Sequence, residues 1–238
     1  MTKRWVIPDI HGYLKTLKIL IEEQIQPSRQ DEIYFLGDYI DRGPDSKGVI
    51  DYLWKLESDG YNVNCIIGNH EDFCVQTYYE NKNQRKFLGI KTRSHFKKEW
   101  EKYGGKETQK SFGLKNMKDF PFEYIEWMKN LKFYIELEDY ILVHAGFNFK
   151  IEDPFTDRKA MIWVRDYQVD PGKINNKTVV HGHVPVSLEF MQMTLKSSSY
   201  HFISLDNGVY MDHVQGFGNL TALELNSKKL LIQPNVDL

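Results

Sequence analysis

Asp9 and His11 follow directly on the short apolar run Trp5–Ile7, so both fall on a loop at the carboxyl end of a strand, where open α/β sheets hold their ligands. Taken alone, this pair with Gly12 beside it is also an ordinary turn that caps a helix. Repetition decides between the two. Gly37-Asp38-Tyr39-Ile40-Asp41-Arg42-Gly43 sets an acid after the run Glu32–Leu36, with a second acid and an arginine just beyond. Gly68-Asn69-His70-Glu71 does the same with amide and imidazole after Val63–Ile67, and His144-Ala145-Gly146 and His181-Gly182-His183 close two later runs. Glycines beside these residues let the backbone turn sharply, so that short side chains from five strand ends can converge on one point.

The chemistry of such a set is metal chemistry. Asp, Asn and His without any thiolate suit Mn²⁺, Fe or Zn²⁺ and disfavour a structural zinc site built on cysteine. There are more candidate ligands than one open catalytic ion needs. Two ions about 3.5 to 4 Å apart would use them all, and paired ions of this kind clamp the attacking and leaving oxygens of an in-line phosphoryl displacement.

These segments, in this order, resemble those of the PPP-type serine/threonine protein phosphatases within the calcineurin-like metallophosphoesterases, in particular the bacterial and phage lambda-like branch, whose pattern is GDxHG, GDxVDRG, GNHE, HxG and a late GH. The resemblance covers most of the chain. It implies an α/β fold, a four-layer αββα sandwich of two mixed β-sheets flanked by helices. It implies that Asp9, His11, Asp38 and His183 hold one metal and that Asp38, Asn69 and His144 hold the other, with Asp38 bridging. His70 would be the general acid, oriented by Asp41, and Arg42 would hold the substrate phosphate together with Asn69. Ile162-Trp163-Val164-Arg165 is similar to the place where compact members carry a second phosphate arginine, so Arg165 joins that group. The planar guanidinium fork matches the peripheral oxygens of a phosphate ester in bidentate fashion. The cofactors implied are two divalent metal ions, Mn first with Fe or Zn as alternatives.

The activity implied is a metal-dependent phosphoprotein phosphatase that hydrolyses phosphoserine and phosphothreonine monoesters by direct attack of a hydroxide held by two metals. Its partner would be a phosphoprotein or phosphopeptide. A dinucleoside polyphosphate or other nucleotide hydrolase is the alternative, because related enzymes with the same motifs cleave anhydrides. A noncatalytic scaffold is disfavoured, since every ligand candidate is present along with His70, Asp41 and Arg42. Two positions depart from the pattern: Pro8 replaces the first Gly of GDxHG, fixing φ and deleting an N–H at the edge of the site, and Ile40 stands for Val. His181 is expected to support the site from behind, sharing a face with His183, while His95, His201 and His213 carry no motif. Asp206-Asn207-Gly208 reads equally as a turn and as support for the site.

The elements that must position these residues follow from periodicity. Strand runs alternate with helical spacing at Leu14, Leu17, Leu20, Ile21 and Ile25, then at Val49, Ile50, Leu53, Trp54 and Leu56, then in a helix beginning near Glu71. That rhythm implies βαβ units and a largely parallel sheet. Residues 83–118 break it with Lys, Glu and Gln and read as a helical insertion, in which Trp100, Gly104, Gly105, Thr108, Ser111 and Phe112 fit a W…GG..T..S[YF] segment of bacterial members that shapes access to the metals. From Phe133 onward the runs are β-like, and with no linker or repeat the chain reads as one domain over residues 1–238. Lys plus Arg is 31 against 33 for Asp plus Glu, so no global field points to nucleic acid or an anionic membrane, and anionic substrate must be attracted locally. Cys65 and Cys74 have no metal or redox spacing and read as buried free thiols, and with no leader or spanning segment the expectation is a cytoplasmic protein.

Overall fold

The computed structural model describes residues 2–83 and 95–237. In it β1 (Arg4–Ile7), β2 (Glu32–Phe35) and β3 (Asn62–Cys65) alternate with α1 (Leu14–Ile19) and α2 (Ser46–Ser58), and α3 (Asn69–Asn83) follows β3. α1 runs on through a π-helical stretch, Leu20–Ile25. After the insertion come α6 (Phe122–Lys129), β4 (Tyr134–Glu136), β5 (Tyr140–Val143), α7 (Arg158–Trp163) and β6 (Thr178–His181). The chain ends with α8 (Leu188–Lys196), β7 (Phe202–Ser204), β8 (Asn219–Glu224) and β9 (Lys229–Pro234).

Two mixed sheets form. One has the order β3-β2-β1-β8-β9, the other β4-β5-β6-β7. The three leading strands are parallel, as the βαβ rhythm requires, whereas β8 and β9 close that sheet antiparallel, so it is less uniformly parallel than the alternation of elements predicts. Helices fill only the first half of the chain densely, and consecutive strands without a crossover helix return antiparallel.

Alternate residues of each strand sort into separate layers. Val6, Tyr34 and Leu36 point into the core between the sheets and meet Leu142, Val180 and Leu223 there. Their neighbours Trp5, Ile7, Ile33 and Phe35 face the helical layer, against Leu17, Leu20, Val49, Ile50 and Leu53. On the second sheet Ile141, Val143 and Val179 turn outward onto Met161 and Ile162 of α7. Both faces of the central strands are therefore covered, which is why β1, β2 and β5 are apolar without alternation. The result is helix, sheet, sheet, helix, the fold the motifs implied. Among the described residues no helix is long and apolar enough to cross a membrane.

α3 begins at Asn69 rather than near Glu71, so Asn69 and His70 occupy the first turn of a helix instead of the loop before it. Of the expected insertion, residues 84–94 and the side chain of His95 lie outside the described residues. The rest is helical: α4 (His95–Trp100), a π turn over Glu101–Gly105, α5 (Lys106–Ser111) and a short 3-10 turn, Met117–Asp119. Cys74 is buried, but Cys65 is only half-buried at the end of the edge strand β3, and both thiols are free.

Candidate metal centre and phosphate slot

The five strand ends do converge. The turn after β2 is pinned to the turn after β1, for Ile10 N and His11 N both donate to the carbonyl of Asp38 at 3.0 and 2.8 Å. Asp38, Asp41, Arg42, His11 and His183 all take positive φ, a conformation that costs a non-glycine residue of order 1–3 kcal/mol and persists at functional sites where the surroundings enforce it. Gly68 allows the closest approach, because a Cβ there would lie 2.1 Å from the Asp38 carboxylate.

Asp38 sits at the middle. Its carboxylate oxygens lie 3.6 Å from His11 Nε2, 3.8 Å from His70 Nε2 and 3.5 Å from His144 Nε2. Ligand atoms of His11, Asp38 and His70 fall within 4.8 Å of one another, as do those of Asp38, His144 and His183, with Asp38 common to both groups. Asn69 Oδ1 is 2.9 Å from His144 Nε2, which is also 3.2 Å from His183 Nδ1. Asp9 is buried and accepts from the backbone N–H of His183 at 3.0 Å, so the carboxyl ends of β1 and β6, one from each sheet, are tied together. Asp9 itself stands in neither of the two groups of ligand atoms around Asp38.

The protonation pattern is that of a metal site. The Nδ1 atoms of His11 and His144 lie 2.9 Å from the carbonyls of Ile40 and Leu36. A donated Nδ1–H there leaves each Nε2 with its lone pair directed at Asp38. Burial lowers His11 and His144, and burial and then His144 push His183 down to about 3, which favours the neutral form that a ligand needs. His70 goes the other way: burial alone would lower it, but Asp38 and then the Asp41 hydrogen bond outweigh burial and raise it. The carboxylates are equally marked. Burial, then Asp206 and Asp38, raise Asp9 well above the usual range, and burial lifts Asp206 to about 7. Burial would raise Asp38 as well, yet His144, His70, His11 and His183 around it hold it low. A buried nest of carboxylates and neutral imidazoles, with His183 Nε2 and Asp206 Oδ2 left without hydrogen-bond partners, has the donors and the excess negative charge that divalent cations satisfy. The donors around Asp38 fit divalent ions, with His11 and His70 on one side and His144 and His183 on the other, and Asn69 beside His144; the fuller set that adds Asp9 is what the resemblance implies.

Beside the cluster lies a slot of about 60 Å³ whose walls include Arg42, Asn69, His70, Arg165 and Tyr210. Both expected phosphate arginines thus reach the same small space. His70 Nδ1 is 2.6 Å from Asp41 Oδ2, and Arg42 Nη2 stands 3.4 Å from His70 Nε2. The insertion does more than shape access: Trp100 Nε1 donates to Asp41 Oδ2 at 2.8 Å and Thr108 Oγ1 donates to Asp41 Oδ1 at 2.6 Å, so it fixes the acid that orients His70. The Gly104 carbonyl also accepts from Arg42 N at 3.3 Å.

Tyr210 escaped the sequence reading, and the structure settles what Asp206 and Glu71 do. Tyr210 lies with its ring 3.8 Å beneath the Arg42 guanidinium and meets His11 edge-on at 5.4 Å; nothing in the stretch after Asp206-Asn207-Gly208 signals this. Asp206, read as equally a turn, does both: Oδ1 accepts from Gly208 N at 2.7 Å and its charge bears on Asp9. Glu71 was visible only as the last letter of a motif. Its carboxylate accepts from the backbone N–H of Asp38, Tyr39 and Gly68 at 2.8, 2.8 and 3.0 Å, clamping the β2 and β3 turns to each other. Ile40 N donates to it as well at 3.3 Å, so Glu71→Ala strands four buried donors at about 1 kcal/mol or more each, and the melting temperature is expected to fall by roughly 8 °C or more. Thermal unfolding of the metal-free protein checks this, and an unchanged midpoint removes Glu71 from that role.

His181 departs from expectation. β6 ends at His181, so the two-residue strand period lapses before His183, whose φ is +67°. The His181 ring packs on Tyr167 and Phe202, each at 5.8 Å, and not beside His183. His213 is exposed, paired with Asp212 at 3.6 Å, and His201 is a half-buried turn residue with φ of +52°.

With two mixed sheets, strand-end carboxylates and imidazoles, and paired arginines, the architecture is that of a metal-dependent phosphoesterase. The chain matches the calcineurin-like phosphoesterase family model over residues 2–234 and belongs to that family. A symmetrical bis(5'-nucleosyl)-tetraphosphatase of Buchnera aphidicola from Schizaphis graminum is 35% identical over 86 residues, which is 35% of this chain and 30% of that protein. One from Cellvibrio japonicus is 29% identical over 82 residues, 34% of this chain and 29% of that protein. The chain thus matches under a third of the length of these curated relatives. Among solved structures, one described as a candidate diadenosine tetraphosphatase superposes with a TM-score of 0.61 at 16% identity, covering 99% of this chain and 94% of that one. A serine/threonine phosphatase from Saccharomyces cerevisiae gives 0.59 at 16% identity over 99% and 80%. At that identity the likeness is one of fold.

Proposed function

We propose that this phosphoesterase hydrolyses dinucleoside polyphosphates at a phosphoanhydride bond, with a diadenosine tetraphosphate type of substrate first. The observation that carries this reading is that curated relatives 29–35% identical over 82–86 residues are named symmetrical tetraphosphatases. When bound, the two divalent ions would supply Lewis acidity, activating water and neutralising phosphoryl charge. Mn²⁺ is the first proposal for both, with Fe or Zn²⁺ as alternatives, because the donor set has no thiolate. Arg42 and Arg165 hold the peripheral oxygens of the phosphoryl group in the slot, and the Tyr210 ring keeps the Arg42 guanidinium in place. His70, held by Asp41 at Nδ1 and, despite burial, raised by Asp38 and Asp41, would carry at Nε2 the proton for the departing oxygen. Free thiols at Cys65 and Cys74 suit a reducing, cytoplasmic setting.

One observation favours a second reading, the phosphoprotein phosphatase. A fully buried Asp41–His70 pair, held from a separate segment by Trp100 and Thr108, is of greatest use when the leaving group is a poorly stabilised serine or threonine alkoxide. Hydrolysis by metal-stripped protein, with Mn²⁺, Zn²⁺, Fe²⁺ or Mg²⁺ restored singly, separates the two on diadenosine tetraphosphate and a phosphoserine peptide. Metal-dependent release of ADP with little phosphate from the peptide is the expected result. Turnover of the peptide alone replaces the first reading by the second.

A further inference from the structure

The slot accommodates a phosphoryl group and little more, yet it opens beside a second, larger space. A cavity of about 540 Å³ is bounded by Phe73, Phe96, Tyr103, Phe133, Ile162 and Trp163. Tyr103 and Trp163 line both spaces, so the two are neighbours across these rings. We propose that this aromatic cavity binds the purine base of a nucleotide whose phosphates occupy the slot; the inference rests on the dinucleotide reading above.

Three features favour a nucleobase as the occupant. Rings gather around Phe73 without stacking on it: Phe96 at 6.1 Å and 84°, Tyr103 at 6.0 Å and 51°, Trp163 at 6.4 Å and 69°. Rings arranged edge to face are not stacked on one another, and a flat heteroaromatic guest stacks on an aromatic face whatever its sequence context. Exposure agrees, for Phe96 and Tyr103 stay 39% and 43% exposed, unusual for large apolar rings beside a site. Gln76 and Asp72 lie on the same wall, where Gln76 Nε2 donates to Asp72 Oδ2 at 2.6 Å; the Gln76 amide oxygen and the second amide N–H remain for a purine edge, which carries both donors and acceptors.

Charge and spacing fit the same guest. Arg158 and Lys159 border the cavity together with the acids Asp72 and Glu99, and the cations Arg42 and Arg165 border the slot, where the anionic phosphates would lie. The His70 ring is 6.5 Å from Tyr103, and Tyr103 is 6.0 Å from Phe73. Tyr103 therefore stands between the ring at the slot and the ring at the back of the cavity, along the line a nucleotide would follow. Tyr103 is held at the junction because the next residue, Gly104, is pressed against Arg42: a Cβ on Gly104 would lie 2.5 Å from Arg42 N.

The test is Phe96→Ala, whose partly exposed ring can be cut back without opening the core. Inhibition of diadenosine tetraphosphate hydrolysis by ADP and by pyrophosphate is measured for wild type and variant, with kcat and KM for the substrate. Wild type is expected to bind ADP at least roughly tenfold more tightly than pyrophosphate, and the variant is expected to lose most of that advantage, its KM rising by a similar factor while kcat holds. Equal inhibition by ADP and pyrophosphate in the wild type overturns the base pocket and leaves the dinucleotide reading standing, as does an unchanged ADP advantage in Phe96→Ala. A wild type that leaves diadenosine tetraphosphate intact and dephosphorylates the phosphoserine peptide removes the reading beneath, and the base pocket with it.

Discussion

Asp38→Asn is expected to abolish turnover and to empty the centre of metal. The side chain keeps its shape and one acceptor for the backbone N–H of His70, which Asp38 Oδ1 now receives at 3.1 Å, so the turn after β2 survives. What disappears is the charge at the point shared by the His11, His70 group and the His144, His183 group. Loss of a residue that merely orients a ligand costs roughly 10- to 100-fold in metal affinity or activity. A carboxylate that serves both groups is expected to cost more than about a hundredfold in kcat, with the bound metal falling clearly below that of the wild type by elemental analysis of the gel-filtered protein. Near-normal turnover with a full complement of metal would refute the central place given to Asp38.

His70→Asn is the second large effect, and its size is expected to depend on the leaving group. The imidazole is buried, raised by Asp38 and Asp41, and stands 3.4 Å from the Arg42 guanidinium at the slot. General acid catalysis contributes typically about 10²–10⁴-fold, and the contribution shrinks as the leaving oxygen becomes able to depart without a proton. On a phosphoserine peptide the loss is therefore expected in that range, while on nitrophenyl phosphate, and on a nucleotide anhydride whose leaving group is itself a phosphate, it is expected to be far smaller. Parallel kcat measurements on the three substrates decide it, and an equal loss on all of them sinks the proton-donor role. Comparing the absolute rates of the wild type on the same substrates also weighs the two functional readings against each other.

Much of the site was legible because its residues are punctual. Each candidate ligand follows a short apolar run, and a run of that kind bounded by glycine is a strand end whatever the partner strands are. The order of the motifs then implied the fold, and the two sheets bear it out. Legibility failed wherever a residue acts through a contact distant in sequence. Trp100 and Thr108 were readable as part of a segment that shapes the site, but their bonds to Asp41 span 59 and 67 residues. Tyr210 lies in a loop without periodicity, and its position under Arg42 depends on how the β7 to β8 connection folds over the slot. His181 was misplaced for a local reason, since the alternation of faces holds only while the strand continues.

The sequence alone determined which chemistry was available: hard and borderline ligands at strand ends, an acid with its imidazole, two arginines for an anion, and no net field to attract one otherwise. Those are properties of side-chain type and of local backbone, both written in a few adjacent letters. Only the tertiary structure decided the protonation of each imidazole, the clamp that Glu71 makes between two turns, and the aromatic cavity where α3, α7 and the insertion meet. Burial and distance between segments remote in the chain set all three, and spacing along the chain encodes neither.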